Sequence, residues 1–417
     1  MQTWPAPAIP ALPGRGPVVR VRGLDCELHV AAHGPVAGMY VCGITPYDAT
    51  HLGHAATAVA FDLLHRAWLD QGLTVRHVSN VTDVDDPLLE RAAATGVPWQ
   101  DLAAEQAALY AQDMTALAVI PPDVYLGAVE AIPLVREAVT RLVGSGLAYR
   151  VPLEPGAGGS RPDLGDVYAD SVRQGVPELS GLDPTEAVRV FAANGGDPYR
   201  PGKRHPLDPA LWRRERPGEP AWDGGGLGTG RPGWHIERTA IAEQALGAAF
   251  DVQGGGRDVC FPHHAMSTAH ARALGGHGPR TSVHAGMVGL AGRKMSKSDG
   301  NLVLVSALRE RGADPMAVRI ALLAHHYRAD WEWDESALAA GTERLERWRA
   351  AVSGNGGPAP NTAAAAIRAI WTDDLDAPRA VAAVDRWAGA SLALGGDVEG
   401  APGVLARALD ALLGVRL

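Results

Sequence analysis

The sequence predicts an α/β protein with a parallel sheet and an inserted segment, followed by a bundle of helices. Strand patterns alternate with amphipathic helical patterns in the first part of the chain, and this alternation is typical of a parallel sheet. A stretch rich in glycine and proline interrupts the alternation. From about residue 303 onward every pattern is helical. The 417 residues provide chain for two or three domains.

The first strand is predicted at 39–44, where a continuous apolar run ends in a glycine turn. An amphipathic run then predicts a helix over 55–69, and a second strand follows over 75–81. The remaining patterns of this part predict helices at about 86–95, 100–118, 129–146, 234–247 and 263–274, and strands at 250–252 and 282–287.

Residues 150–185 predict an irregular inserted loop or subdomain, because glycine and proline interrupt every periodic pattern there. We therefore expect a first domain over 1–302, with an insertion at about 150–232, and a helical bundle over 303–417. The helices of the bundle are predicted at 304–311, 315–327, 336–352, 361–371, 376–389 and 402–415.

Composition excludes several classes of protein. Hydrophobic residues make up 46% and charged residues 20% of the chain, as in an ordinary folded protein. The net charge of −9 argues against a large nucleic-acid surface. No apolar run reaches the roughly 20 residues of a membrane span, and we expect no secretory signal, because no basic stretch is followed by an apolar core. Three cysteines are too few for a disulfide framework, so we expect a cytoplasmic protein.

Lysine is rare and its placement is informative. The chain has only Lys203, Lys294 and Lys297, and its other basic residues are arginines. The last two lie three residues apart in a glycine-bounded loop, residues 292–300. Such a loop can fold over a polyphosphate and neutralise the charge that develops as pyrophosphate leaves.

A second segment also predicts a phosphate site. His51 and His54 flank Gly53 between the first strand and the following helix. Two histidines three residues apart share a helix face, and a helix N-terminus attracts anions. The glycine lets a phosphate or a flat ring approach the backbone.

Together the two segments strongly resemble the paired HIGH and KMSKS motifs of class I aminoacyl-tRNA synthetases. Both occur in the right order, about 240 residues apart, and each follows a predicted strand. The resemblance implies a Rossmann-like parallel sheet that binds a nucleotide in the first domain. The segments that resemble the cysteinyl branch in particular are 42–48, 80–86, 233–237, 254–258 and 261–264.

Within that branch, the sequence looks almost throughout like the shorter cysteine ligases of mycothiol biosynthesis. The similar segments include 12–16, Ala55-Ala56 and 199–204. Such enzymes join L-cysteine to the amine of glucosaminyl-inositol and cleave ATP, bound with Mg²⁺, to AMP and pyrophosphate. Only 119 residues follow Ser298, so we expect no separate anticodon-binding domain, no tRNA partner and a monomer. A cysteinyl-tRNA synthetase is the alternative.

The resemblance also implies roles for individual residues. His51, His54, Lys294 and Lys297 would stabilise the transition state of adenylation. Asp258 would be a hydrogen-bonding partner for polar groups of the adenylate. The residues expected to line the adenylate pocket are Cys42, Gly43, Ile44, Thr45, Thr57, Asn80, Val81, Thr82, Trp234, Gly256, Arg257, Asp258, Val288 and Lys294.

The implied metal site departs from the family pattern. The family implies one Zn²⁺ that binds the substrate thiolate, and here Cys42 and His263 stand at two of its ligand positions. The third position, four residues after Trp234, is Arg238, which has no lone pair to coordinate a metal. A zinc ion with two protein ligands would bind weakly. Cys260 is a possible substitute ligand, although its place at the end of a predicted buried strand favours a core residue.

Three interpretations of Arg238 follow. The chain is a cysteine ligase with a rebuilt metal site, or a sister enzyme that activates another acid, whose anionic group pairs with Arg238. A third interpretation is a degenerate paralogue that binds adenylates without catalysis. The presence of both Lys294 and Lys297 argues against the third.

Overall fold

The computed structural model describes residues 3–47, 49–153, 164–295 and 300–417, without the side chain of Lys294. Its strands are β1 (Arg20–Arg22), β2 (Leu28–Val30), β3 (Val36–Ile44), β4 (Thr74–Val81), β5 (Val124–Gly127), β6 (Ala148–Val151), β7 (Asp166–Ala169), β8 (Ala210–Arg214), β9 (Gly230–Pro232), β10 (Ala249–Gly256), β11 (Gly278–Ala285), β12 (Val288–Leu290), β13 (Arg293–Lys294), β14 (Trp331–Glu332), β15 (Gly356–Gly357) and β16 (Val398–Glu399).

Its helices are α1 (Leu52–Gln71), α2 (Asp86–Thr95), α3 (Trp99–Ala116), α4 (Ala128–Gly144), α5 (Val176–Ser180), α6 (Pro184–Ala193), α7 (Trp234–Leu246), α8 (Ala265–Ala273), α9 (Val305–Glu310), α10 (Pro315–Leu323), α11 (Glu335–Val352), α12 (Pro360–Ile370), α13 (Ala377–Leu394) and α14 (Ala401–Leu413).

A five-stranded sheet organises the first part of the chain, in the order β11-β10-β3-β4-β5, and every neighbouring pair is parallel. The predicted α/β class is therefore confirmed. In the central strand, Val41 pairs with Ser79 on one side and with Gly254 on the other. The carboxyl ends of β3, β4 and β10 consequently meet at one edge, which is where open α/β sheets bind ligands.

Helix α1 is buried over much of its length because it lies between this sheet and helices α10 and α14. His51 caps its N-terminus and Gly72, with φ +86°, ends it in the left-handed conformation. A glycine is favoured there because a side chain would be strained at that φ. The helix begins at Leu52, three residues earlier than the apolar periodicity predicts.

The insertion differs from the sequence prediction. Strands β6, β7, β8 and β9 form a four-stranded antiparallel sheet in that order, and α5 and α6 lie between β7 and β8. The prediction of an irregular stretch was wrong in this respect. The strands have only three to five residues, too few for an alternating pattern to stand out among glycine and proline turns.

Helices α9 to α14 follow the parallel sheet, as predicted, and the core is continuous from α1 into them. A buried polar network also joins the two parts. The carboxylate of Asp62 in α1 accepts hydrogen bonds from Arg66 Nε, at 2.7 Å, and from Arg319 of α10. Arg319 donates further to the carbonyls of Leu117 and Leu413, both at 2.7 Å. We call Asp62, Arg66 and Arg319 the Asp62 cluster.

Within the ranges described above, no helix is long and apolar enough to cross a membrane.

Candidate active site

A cavity of about 350 Å³ opens at the carboxyl edge of the parallel sheet. It lies between the end of β3, the start of α1, the start of α7 and the turn after β10. The residues predicted for the site that line it are Cys42, Gly43, Ile44, Thr45, His51, His54, Thr57, Trp234, Gly256, Asp258 and Val288.

The backbone at Gly43 shapes one wall of this cavity. The pairing of β3 with β4 is irregular between Val41 and Ile44, and Gly43 approaches the next strand closely. A Cβ atom at Gly43 would lie 1.7 Å from the carbonyl oxygen of Asn80. Only glycine therefore fits at this position of the wall. The sequence pattern indicates a turn here but not this close contact.

Asn80 lies behind the wall and not in the cavity. Its Oδ1 accepts from the Tyr40 hydroxyl at 2.9 Å and from the Gly43 N–H at 3.0 Å. Its Nδ2 donates to Thr82 at 3.1 Å and to Glu237 Oε1 at 2.9 Å. Because these contacts occupy both ends of the amide, Asn80 positions β3 and α7. Val81 and Thr82 likewise lie outside the cavity lining.

The two histidines at the start of α1 stack, with ring centres 3.9 Å apart. The Gly53 N–H donates to His51 Nδ1 at 3.1 Å, so a neutral His51 carries its proton on Nε2. The Leu52 N–H donates to the Val303 carbonyl at 2.9 Å. Two N–H groups of this helix end thus donate within the protein itself.

The chain on both sides of the lysine loop is tied to this region. Before the loop, Lys294 pairs with Gly289 across β12 and β13. After it, the Val305 N–H donates to the Thr50 carbonyl at 3.1 Å. Met295 also lines the cavity. The side chain of Lys294 and the whole of Lys297 lie outside the described residues, so their contacts stay a prediction.

Arg238 lies one turn after Trp234 on α7, and its guanidinium carbon is 4.5 Å from the centre of the Trp234 ring. The helical spacing predicts this shared face. Arg238 is 3% exposed and lines the cavity. Its Nε and Nη1 have no hydrogen-bond partner within the described part of the chain. Burial alone would lower the pKa of Arg238, but Cys42, Tyr40 and Glu237 raise it above the usual value, so the side chain is a cation.

The histidine that contacts Cys42 is not the one that the sequence singled out. Cys42 Sγ lies 2.9 Å from His264 Nε2, and His264 Nδ1 lies 2.8 Å from His284 Nε2. His263 Nδ1 instead lies 2.9 Å from His235 Nε2. His264 and His284 were missed, although His264 is the sequence neighbour of His263 and His284 falls within a predicted strand.

The donors present do not fit the zinc site that the resemblance implies. Within the described ranges, no three His, Cys, Asp or Glu side chains are grouped to hold a metal ion. The position that would complete the set is a guanidinium, which interacts electrostatically with Cys42 and His263. The fixed positive charge of the guanidinium opposes a divalent cation and favours an anion.

Two other predicted residues lie away from the expected place. Arg257 does not line the cavity, since its guanidinium donates to Asp330 at 2.8 Å and to the Arg328 carbonyl. Cys260 begins a short helical turn, Cys260–His264, and is half-buried. The prediction that Cys260 ends a buried strand was wrong, because β10 stops at Gly256.

Comparison with known proteins agrees with this architecture. Residues 29–343 match the family described as tRNA synthetases class I (C) catalytic domain. The chain is 65% identical to the L-cysteine:1D-myo-inositol 2-amino-2-deoxy-alpha-D-glucopyranoside ligase of Sanguibacter keddieii and 60% identical to that of Cellulomonas flavigena. A Streptomyces griseus protein of the same name is 55% identical, and each match covers 100% of both chains.

Solved structures share the fold at low sequence identity. Mycobacterium tuberculosis methionyl-tRNA synthetase bound by methionyl-adenylate has a TM-score of 0.64 at 16% identity, over 91% of this chain and 92% of the other. A putative arginyl-tRNA synthetase from Campylobacter jejuni has a TM-score of 0.59 at 13% identity, over 92% and 94%. The chain therefore belongs to the family of class I tRNA synthetase catalytic domains of type C.

Proposed function

We propose that this chain is an ATP-dependent ligase that activates L-cysteine as cysteinyl-adenylate and transfers it to the amine of glucosaminyl-inositol. The full-length relatives named for this reaction, at 54–65% identity, support the substrates. The observation that carries the proposal is the single cavity of about 350 Å³ that His51, His54, Trp234 and Asp258 line together.

The ATP half of the reaction rests on charge stabilisation and positioning. The cysteine carboxylate attacks the α-phosphorus of ATP, the bond to the bridging oxygen breaks, and pyrophosphate leaves with its electron pair. His51 Nε2–H and His54 would donate to the phosphates from the start of α1. Lys294 and Lys297 would neutralise the charge on the departing pyrophosphate. Mg²⁺ would accompany ATP as part of the substrate.

The transfer half forms an amide. The amino-sugar nitrogen attacks the carbonyl carbon of the mixed anhydride, the bond from that carbon to the phosphate oxygen breaks, and AMP leaves. The nitrogen loses one proton in the process. Holding the two reactants in one cavity supplies most of the acceleration expected for such a step. We expect the enzyme to work as a monomer in the cytoplasm, where ATP and reduced cysteine are available.

Two assays with the purified chain test the proposal. In the first, ATP–pyrophosphate exchange is measured with a panel of amino acids, and we expect exchange with cysteine. In the second, AMP release is measured with and without glucosaminyl-inositol, and we expect sustained release only when the amino sugar is present.

The same assays test the alternative, a cysteinyl-tRNA synthetase. A tRNA synthetase should charge a cysteine tRNA transcript, with an affinity that falls steeply as salt rises. Robust charging of that transcript, with no turnover of glucosaminyl-inositol, would replace our proposal by this alternative.

A further inference from the structure

Arg238 is a buried cation whose hydrogen-bonding capacity the protein does not use up. Two of its nitrogen atoms, Nε and Nη1, are buried without a partner within the described part of the chain. A buried donor without a partner costs the free energy of its lost hydration, and a buried charge costs more. Such a group at the wall of a cavity is a binding site for a ligand atom that accepts hydrogen bonds.

The side chains around Arg238 do not supply that acceptor. Glu237 is the adjacent acid, but its Oε1 already accepts from Asn80 at 2.9 Å and from Thr82 at 3.4 Å. Burial raises the pKa of Glu237 to about 8, although Arg238 and Asn80 oppose the shift.

The position of Arg238 selects the part of the substrate that it contacts. It lines the cavity together with Cys42 and Trp234, whose ring covers one face of the guanidinium. Trp234 is held in place because its Nε1 donates to Thr82 Oγ1 at 3.3 Å. His51 and His54 lie at the start of α1, where the triphosphate is proposed to bind, and the described chain after the lysine loop contacts this helix end. The end at Trp234 is therefore left for the amino-acid side chain.

We infer that Arg238 binds the side chain of the substrate amino acid as an anion, and that this anion is the cysteine thiolate. The inference rests on the proposed function. A guanidinium stabilises the thiolate relative to the thiol and gives it charge-assisted hydrogen bonds. Serine has nearly the same shape but stays neutral, so the cation discriminates between the two. The protein thereby recognises a thiolate with an organic cation and without a bound metal ion.

The first test measures metal content and activity of the wild-type chain together. The protein is dialysed against a chelator and its zinc is quantified. ATP–pyrophosphate exchange is then measured with cysteine, serine, alanine and aspartate. We expect exchange with cysteine to persist in zinc-free protein. Loss of exchange on chelation that one equivalent of zinc per chain restores would overturn the inference, as would a preference for aspartate over cysteine.

The second test uses variants. Arg238→Met should raise the KM for cysteine by at least about 30-fold, the usual cost of removing one partner of a buried charge pair, with a smaller change in kcat. It should also reduce the preference for cysteine over serine and alanine. Arg238→Lys should keep part of the preference, because it keeps the charge. The matched control is Arg349→Met, since Arg349 pairs with Asp314 outside the cavity and is half-exposed.

The failure of this inference can be told apart from the failure of the proposed function. Calorimetry of cysteine binding to the wild type and to Arg238→Lys does not depend on turnover. Absence of exchange with every amino acid would contradict the proposed function. Exchange with an unchanged KM for cysteine in Arg238→Met would contradict only the role of Arg238. If circular dichroism shows that the Met variant is unfolded, the Lys variant and the wild-type metal measurement decide.

Discussion

Single side chains of the cavity are positioned by packing and by backbone contacts more than by ion pairs with one another. His51 is oriented by the Gly53 N–H, and Arg238 is oriented by the face of Trp234. Substitution of such a residue therefore changes the chemistry of the cavity without breaking a salt bridge of the fold.

Arg238→Cys should create a zinc site. The substitution replaces a cation by a thiol beside Cys42 and His263, which gives three ligands of the types that zinc prefers. We expect about one tightly held zinc ion per chain, measured by atomic emission after dialysis against a chelator. Arg238→Ser is the control, because its hydroxyl is a poor zinc ligand, and it should gain no metal. Tightly held zinc in the wild type would contradict this account of Arg238.

Lys294→Ala and Lys297→Ala should each lower the rate of ATP–pyrophosphate exchange by about 10²–10³-fold, the usual cost of removing one donor to a transition state. Both lysines belong to a loop whose flanking segments are tied to the start of α1. Arg311→Ala is the control, since Arg311 is exposed and pairs with Glu335 away from the cavity. Exchange at the wild-type rate in both lysine variants would remove the loop from the mechanism.

At the scale of elements, the sequence predicts most helices and the central strands, because their periodic patterns are long. Helix α2 lies at the predicted 86–95, and α11 begins one residue before the predicted 336–352. The strand predicted at 250–252 is shorter than β10, which continues through the glycines at 254–256. Gly254 lies against the ring of Phe61, 2.3 Å from where a Cβ would be. Such a close approach between distant residues leaves no local pattern.

The sequence predicts part of the candidate site, as it predicts part of the fold. His51, His54 and Trp234 line the cavity, and each belongs to a segment with a local sequence signature. The lysine motif lies largely outside the described residues, so its place in the site stays a prediction. The distinction between His263 and His264 depends on the path of the turn Cys260–His264, which no periodicity reports. The boundaries at 302 and at about 150–232 remain a prediction about domains.

Gly43→Ala should destabilise the protein by about 1–3 kcal/mol, the usual cost of forcing extra volume into a packed site. The added methyl group would meet the Asn80 carbonyl oxygen at 1.7 Å. Urea denaturation followed by circular dichroism measures the free energy of unfolding. Gly389→Ala is the control, because Gly389 lies inside α13 with nothing within 4 Å. That control should stabilise by about 0.5–1 kcal/mol, and equal effects of both substitutions would contradict our view of Gly43.

At the scale of the whole molecule, the Asp62 cluster joins helix α1 to helices that follow the parallel sheet. Arg66 donates to the carbonyls of Ala118 and Asp410, both at 2.7 Å, so the cluster reaches α14 as well as α10. Asp62 and both arginines are fully buried. One carboxylate faces two guanidiniums, whose other N–H groups donate to backbone carbonyls. Removal of the carboxylate charge would leave two buried cations without a counter-ion.

Asp62→Asn should destabilise the protein by about 3–5 kcal/mol at pH 7, since two buried arginines lose their counter-ion. Burial would raise the pKa of Asp62, but Arg66 and Arg319 hold it at about 2, below the usual 3.8. A lowered pKa in the folded state gives stability that is present above pH 3.8 and is lost as the pH falls toward 2. The difference in the free energy of unfolding between wild type and variant, measured by urea denaturation at each pH, should therefore be constant from pH 7 to about pH 4.

In the same measurements, the difference in the free energy of unfolding between wild type and Asp62→Asn should become smaller below pH 4, because Asp62 gains a proton in the wild type. Asp373→Asn is the control for this measurement, because Asp373 forms an exposed pair with Arg379. It should change the free energy of unfolding by less than about 1 kcal/mol at any pH. A gap for Asp62→Asn that widens on acidification would contradict the role given to the cluster.

The span of the Asp62 cluster along the chain also sets an order of events during synthesis. Arg319 follows Asp62 by 257 residues, and Ala411, whose carbonyl Arg66 also contacts, follows Arg66 by 345. When helix α1 emerges from the ribosome, Arg66 already accompanies Asp62 on the same helix, but Arg319 and the α14 carbonyls that complete the cluster have not yet been made. Contacts at such long sequence separation form slowly. A nascent chain that stops before residue 410 carries every side chain of the cavity and still lacks the α14 carbonyls to which Arg66 and Arg319 donate.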